Sequence, residues 1–311
     1  MVMKKAMKLA SNNGFEYREQ INNRGNGLTV LAYLTRNHPH SSRADWQARL
    51  AAGQIFIDNC PIQSDSVLKN GQLLLWRRPP WDEPNAPLVY SILHEDEDLL
   101  AVAKPCGLPT LPGGGFLEHT LLALVRKKYP EAGPLHRLGR GTSGIVLFAR
   151  TARARSMICA AWRRKEVTKI YRGLAAGSPA EDNFIIDAPI GPVPHPKLGT
   201  VNAARANGKF ALSRVKVLER RGSESLLEIV IETGRPHQIR IHLAFAGCPL
   251  VGDRLYAAGG TINDLRALPG DTGYLLHAER LRFVHPATGV PFEIQCPPPL
   301  ELAVGFLGTR P

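Results

Sequence analysis

Beyond residue 88 the chain is written mostly in short apolar strand patterns. Apolar-rich runs recur in VYSIL and in LLAVAKP, which flank an acidic turn at residues 95–98, and over 145–150, 169–177, 210–220, 226–234 and 281–286, with apolar and polar positions exchanging most clearly in RVKV (214–217). A period of two sends successive side chains to opposite faces of an extended backbone and a short apolar run suits a buried one, so each of these runs predicts a strand. Helical periodicity is confined to segments around 119–128, 152–164 and 237–246. Long strand runs with few helices between them point to an α+β sheet rather than a doubly wound parallel one.

The first part of the chain follows a different pattern. In SSRADWQARLAAG (41–53), Trp46, Leu50 and two alanines fall on one side of a helix that Gly53 ends, with Ser42, Arg43 and Asp45 at a capped start beside a basic residue. Two short strands around a turn follow, QIFIDNCPI and the segment ending GQLLLWRR. Prolines at 79, 80, 84 and 87 then remove backbone donors and favour extended conformations. The expected layout is an N-terminal tail or extension (1–27), a small helix-and-hairpin domain (28–76), a Pro-rich linker (77–88) and a large domain (89–311).

Composition narrows the class of partner. At 311 residues, 44% hydrophobic and 21% charged, the chain has ordinary globular values. Lys and Arg exceed Asp and Glu by 39 to 27, a net +12 that suits a polyanion, nucleic acid first. The five cysteines are scattered and form no CxxC or Cys/His cluster, which argues against a zinc site and for free thiols in a reducing compartment. The apolar stretch at the N-terminus is too interrupted for a signal peptide, and no run of about 18 apolar residues occurs elsewhere. A cytoplasmic monomer with no membrane association is expected.

Two strings invite readings that their context opposes. HRLGRGTSG (136–144) contains GxGxxG at Gly139, Gly141 and Gly144, with Glu166 at a distance suited to a ribose-binding acid. Dinucleotide binding needs a helix opening after the glycines, and here IVLFAR follows, a strand pattern. No GK[ST] follows either. His237 and His242 have the spacing of one helix face, but no Glu or Cys partner lies nearby, and packing or hydrogen bonding is the expected role, with no metal.

Taken together, the strings are more specific than any one of them. Ser42 and Arg43, Ala52 and Gly53, the strand 55–59 and KNGQ (69–72) resemble the α-L type RNA-binding module, although Asp58 and Asn59 replace its usual Asn-Gly turn and Gln72 its usual acid. AVAKPCGLPT (101–110), HRLxRxTSG, TKIYRGL (168–174), GRPHQIRIHLAFAGCPLVGDRLY (234–256) and LLHAERLRFVHPATG (275–289) resemble the RluA-type family of RNA pseudouridine synthases and follow its order. The resemblance implies the pseudouridine synthase fold, a mixed, largely antiparallel sheet with a central cleft that accepts a flipped uridine. It also implies conversion of uridine to pseudouridine in ribosomal or transfer RNA, with no cofactor or metal.

That reaction breaks the bond from the uracil ring nitrogen to ribose and rejoins the ring through its carbon at position five. A stacked base is out of reach, so it must be flipped and the gap braced. By resemblance, Arg137 fills the space left by the flipped nucleotide, a task suited to a flat guanidinium whose donors reach phosphates. Tyr171 lies against the uracil, its hydroxyl placed to take the proton at position five. Arg240 pairs with the catalytic aspartate. His136, Arg140, Thr142, Arg235, His237 and Gln238 are expected to contact RNA around the cleft, Arg43 to do so from the small domain, and Arg163, Arg164 and Lys165 along a basic track.

One departure from the family pattern is decisive for chemistry. The pattern reads HRLD, and Gly139 stands where its aspartate should be; Gly141, the next position that is often acidic, is no substitute. Loss of a covalent nucleophile commonly costs on the order of 10³ to 10⁶ in rate. Either another carboxylate enters the cleft, with Glu232, Asp253 and Asp187 as candidates, although Glu232 and Asp253 belong to family-typical strings and so do not look like compensating changes, or a phosphate or other anion pairs with Arg240 in a protein that binds and remodels RNA without modifying it. A third account is a route the residues do not reveal. A carboxylate within about 4 Å of Arg240 favours an enzyme, and an empty glycine-floored cleft favours a binding protein.

Overall fold

The structure is a computed structural model that describes residues 12–306. The chain divides into two compact units, one of residues up to Glu83 with His195–Gly199 and the other of Pro84–Pro194 with the residues from Thr200 on, so the main boundary lies inside the Pro-rich stretch. Among the described residues no helix is long and apolar enough to cross a membrane.

The first unit packs helices α1 (Val30–Asn37) and α2 (Arg43–Ala51) on a four-stranded sheet ordered Phe15–Gln20, Leu73–Arg78, Ile55–Ile57, Cys60–Pro61. Helix α2 starts where the sequence predicts. Ser42 accepts from the Asp45 amide at 3.1 Å while the Asp45 carboxylate accepts from the Ser42 amide at 2.8 Å, a reciprocal capping box. Trp46 and Leu50 bury the inner stripe against Val30, Leu34, Ile55 and Leu74. Asp58 and Asn59 both take left-handed backbone angles, φ 50° and 67°, between the paired residues Ile57 and Cys60. They thus serve the tight hairpin that Asn-Gly usually serves. The expected tail is corrected in part: residues 15–20 form a strand paired in register with 73–78, completing the sheet. Residues 1–11 of that segment lie outside the described residues.

The second unit is built on a ten-stranded sheet. Its main path runs Asn183–Ile186, Ser213–Arg221, Glu224–Ile231, Thr168–Ala176, Leu276–Val284, Ser143–Ala149, Leu99–Lys104, Ser91–Glu95. Neighbours are antiparallel except for one join, Leu276–Val284 with Ser143–Ala149, where His277 faces Ser143 and Ala278 faces Gly144 in parallel. This is the α+β arrangement that the strand runs predict, largely antiparallel as the resemblance implies. Three helices pack on it: α3 (Leu121–Arg126), α4 (Ala152–Arg163) and α5 (Gln238–Phe245). Helix α4 lays Ala154, Ile158 and Ala161 on a core with Leu99, Ile145 and Leu147. A second core, on Val146, Phe148, Leu227 and Ile229, receives Ile239 and Leu243 of α5.

The parallel join determines where the site forms. Two strands that run side by side in the same direction begin at the same edge of the sheet, so the segments leading into them, 136–142 and 271–275, are neighbours. The chains approach so closely that a Cβ on Gly144 would stand 2.2 Å from the Ala278 carbonyl oxygen, with φ at +109°. Only glycine fits this crossing.

Candidate active site

Tyr274 is the central side chain of this edge, and it is 4% exposed. Its ring lies where a side chain on Gly141 would go, with ring carbons 2.8 and 2.9 Å from that glycine's ideal Cβ position. The hydroxyl stands 3.0 Å from the Cβ position of Gly139 and shares a 3.1 Å hydrogen bond with Thr142 Oγ1. The phenol therefore occupies the space beside both glycines of the Gly-Arg-Gly turn. Burial raises its pKa, against the opposing pull of Arg240, so it stays protonated.

Arg240 also packs on the phenol, its guanidinium carbon 4.3 Å from the ring centre. Helix α5 carries this arginine on its inner face, 3% exposed. Asp253 receives it in a two-point pair, Nε to Oδ2 at 2.6 Å and Nη2 to Oδ1 at 2.8 Å, and Nη1 donates to the Pro269 carbonyl at 3.1 Å. The Asp253 side chain is 1% exposed, and Oδ1 also caps the Leu255 and Tyr256 amides at 3.0 and 3.3 Å. Burial works against the arginine's charge, but the carboxylate more than offsets it and holds the guanidinium's pKa above its ordinary value. Of the three candidate carboxylates only Asp253 reaches Arg240. Glu232 pairs with Arg214 at 2.8 Å, and Asp187 is exposed.

A loop from 104 to 110 fixes the turn from beneath. The Lys104 ammonium, 1% exposed, donates to the carbonyls of Pro105, Leu108 and Arg140 at 2.9, 2.7 and 3.3 Å. Cys106 Sγ donates to the Gly141 carbonyl at 3.2 Å, and Thr110 exchanges hydrogen bonds with the Leu138 backbone at 2.9 and 3.2 Å. Burial without an acidic partner pulls Lys104 down to about 7.

The other expected site residues fall into two groups. Arg137 is exposed, has no ion pair among the described residues, and lies close enough to His237 to help depress that ring's pKa. Tyr171, from the strand Thr168–Ala176, is held by burial at a pKa of about 12, and its hydroxyl makes no hydrogen bond to protein among the described residues. Arg140 stacks at 5.5 Å on Phe116, and Arg235 Nε donates to the Phe210 carbonyl at 2.9 Å. Arg43 is largely exposed on the first unit, 3.9 Å from Asp65. In the basic track Arg163 is exposed, Lys165 lies 5.8 Å over the Phe210 ring, and Arg164 is already matched twice by Glu166, at 2.7 and 2.8 Å.

Two of the residues expected to contact RNA engage side-chain atoms within the protein. Gln238 uses its amide inside the protein: Oε1 accepts from Thr233 and from the Arg235 amide, and Nε2 donates to Leu212 and Ser213. His136 accepts the Leu147 amide on Nε2 at 3.0 Å and packs 5.2 Å from the Trp162 ring. It braces the approach to the strand. His237 and His242 take the hydrogen-bonding role expected of them. His237 Nδ1 donates to the Tyr256 hydroxyl, which in turn donates to the Asn202 carbonyl, while His242 bonds Ser213 and the Ala188 carbonyl.

Elsewhere in the unit, His94, Asp96 and His285 gather three ligand-type atoms within 4.8 Å. Asp96 Oδ2 there already bonds both histidines, at 2.5 and 2.9 Å, and Oδ1 accepts two amides, so the group is satisfied as it stands.

Burial lowers both His136 and His237 to about 4 from the ordinary 6.5. Between those values the unfolded chain binds protons that the folded chain excludes, so acidification favours unfolding. The urea midpoint is expected to be level above about pH 7 and to fall as pH drops from about 6.5 to about 4. His136→Phe should make the fall shallower, and an unchanged slope in that variant would show that His136 is not buried neutral.

Comparison with known proteins agrees with this geometry. A family model described as RNA pseudouridylate synthase matches residues 98–245. An uncharacterized RNA pseudouridine synthase of Synechocystis sp. is 44% identical over 88% of this chain and 95% of its own length. RNA pseudouridine synthase 5 of Arabidopsis thaliana is 36% identical over 87% of this chain and 88% of its own. Among solved structures, human RNA pseudouridylate synthase domain containing 1 matches with a TM-score of 0.54 and 26% identity, over 71% of this chain and 89% of that one. With the sheet, the buried Arg240–Asp253 pair and the ordered motifs already in place, these matches establish that the chain belongs to the RluA-type family of RNA pseudouridine synthases.

Proposed function

We propose that this protein isomerises uridine to pseudouridine in RNA, with ribosomal or transfer RNA as the substrate class. The observation that carries the reading is the two-point Arg240–Asp253 pair, which keeps a guanidinium fixed beside the Gly139 turn although the usual aspartate is absent. Asp253, a carboxylate 2.6 Å from Arg240, supports the enzyme over the binding-only reading. With its side chain 1% exposed, Asp253 acts as a positioning residue, holding Arg240 rather than meeting the ribose.

Gly139 supplies no nucleophile, so the bond from the ring nitrogen to ribose breaks by a route these residues do not reveal; what they supply is placement and one proton transfer. Arg137, exposed at the rim, takes the space of the flipped nucleotide. As the carbon at position five bonds to ribose it must lose its proton, and the ring nitrogen released from ribose gains one, so no atoms are added overall. Tyr171, neutral at physiological pH, acts as a relay: its oxygen accepts the carbon-bound proton while its own proton passes to solvent or to the uracil. In this reading the first unit carries RNA to the second, with Arg43 as one phosphate contact.

Mapping pseudouridines in cellular RNA with and without the gene tests the proposal. A modified position lost on deletion and restored by the native chain is expected. No lost position, together with new modification only by Gly139→Asp, would establish the binding-only reading.

A further inference from the structure

The first unit carries an aromatic and cationic surface that the motifs do not account for. In the strand Phe15–Gln20 the side chains of Phe15 and Tyr17 share one face, and the register sets Tyr17 opposite Trp76 and Phe15 opposite Arg78. Tyr17 stacks on Trp76 with centroids 4.8 Å apart and planes 14° apart, and Phe15 meets Tyr17 edge-on at 4.8 Å. Cations back the rings: Arg49 sits 4.4 Å from the centres of both Trp46 and Trp76, and Arg78 lies 3.4 Å over Trp81. Phe15 is 45% exposed and Tyr17 42%.

Strand pairing alone does not explain this arrangement. A cross-strand Tyr17–Trp76 contact stabilises the sheet, but Phe15 contributes little to the core at its exposure. Neither Arg49 nor Arg78 has a carboxylate within ion-pair distance among the described residues, whereas Arg18 and Arg77, on the other face, share Glu16. Glu19, the next residue on the aromatic face, is occupied by Tyr33 and His38. Flat rings open to solvent beside unmatched guanidinium groups complement one chemistry in particular, a strand whose bases present π faces and whose backbone is anionic.

We propose that the face formed by Phe15, Tyr17, Trp76 and Arg78 is a stacking platform for unpaired RNA bases, with Arg49 stiffening it from behind. The platform rests on the reading of this protein as one that acts on RNA, and it gives the first unit a preference for single-stranded segments beside the target. Paired bases hide their faces, so the platform distinguishes strands by pairing rather than by sequence.

The test uses the full chain and two labelled probes, a 12-nucleotide oligouridylate and an RNA duplex of equal length. Phe15→Ala with Tyr17→Ala is expected to weaken oligouridylate binding about 10- to 100-fold. The slope of log affinity against log salt should stay unchanged, and duplex binding should stay within about twofold. Arg78→Gln should instead flatten that slope by about one ion. Phe15→Trp, which keeps a ring, should retain wild-type binding, and single Phe15→Ala, at a site too exposed to carry the fold, should give a smaller loss in the same direction. Equal losses on both probes, or oligouridylate binding within about twofold of wild type in the double variant, would overturn the platform. Because the readout is binding alone, a chain that holds single strands through this face yet modifies none would refute the isomerase reading and leave the platform standing.

Discussion

Asp253→Asn lowers the free energy of unfolding by about 3–5 kcal/mol, the cost of leaving a buried guanidinium without its counter-charge. In a domain of this size that is a fall in Tm on the order of 10 °C. The two other candidate carboxylates give the contrast. Glu232→Gln removes a partly exposed pair with Arg214 and costs less than about 1 kcal/mol, and Asp187→Asn at an exposed position costs about as little. The double variant Arg240→Met, Asp253→Leu separates stability from function. Replacing both charges by apolar groups of similar size is often neutral for folding, so much of the lost stability should return while isomerase activity should not. Thermal denaturation of the four proteins decides the matter: an Asp253→Asn loss no larger than that of Glu232→Gln would show that Arg240 is not buried against it.

Tyr171→Phe is expected to lower kcat by about 10²- to 10⁴-fold, the usual worth of a positioned proton-transfer group. KM should be unchanged because the ring still packs against the uracil. The hydroxyl makes no hydrogen bond to protein among the described residues, so stability should move by less than about 0.5 kcal/mol. The pH dependence adds a second readout. With the phenol titrating at about 12, Tyr171 stays in one protonation state through the physiological range, and it should add no inflection to kcat between about pH 6 and 9. Single-turnover release of the proton at position five, followed with labelled uridine, measures the step itself. Full activity in Tyr171→Phe would remove the relay from the mechanism.

The sheet was legible in the sequence because each strand carries its own record. Alternation in 213–217 states which side chains face the core, the continuous apolar run 145–149 marks a strand buried on both faces, and neither needs a distant partner to be read. Helix α1, only eight residues long, is absent from the sequence reading: at that length an apolar run of two turns is hard to tell from a strand. Orientation within motifs was harder still. Gln238 and His136 belong to strings that mark an RNA enzyme, yet motif membership does not say which way a side chain points, and both point into hydrogen bonds of their own fold. Tyr274 left no trace at all, since the hydrogen bond it shares with Thr142 spans 132 positions and only the parallel join brings the two together.

That join also separates two glycines that look alike on the page. At Gly141 any side chain would have to displace the Tyr274 ring and meet the Thr272 backbone at 3.2 Å. At Gly139 the obstacle is the hydroxyl end of the phenol, 3.0 Å away, which a few tenths of an ångström would clear, and the backbone there is not in the left-handed region. Position 141 is therefore answerable to volume and position 139 to reactivity. A screen of all substitutions at both sites for folding alone should close one and leave the other open, so any restriction at residue 139 that appears only under a functional screen is a measure of what the chemistry, rather than the scaffold, demands of the turn.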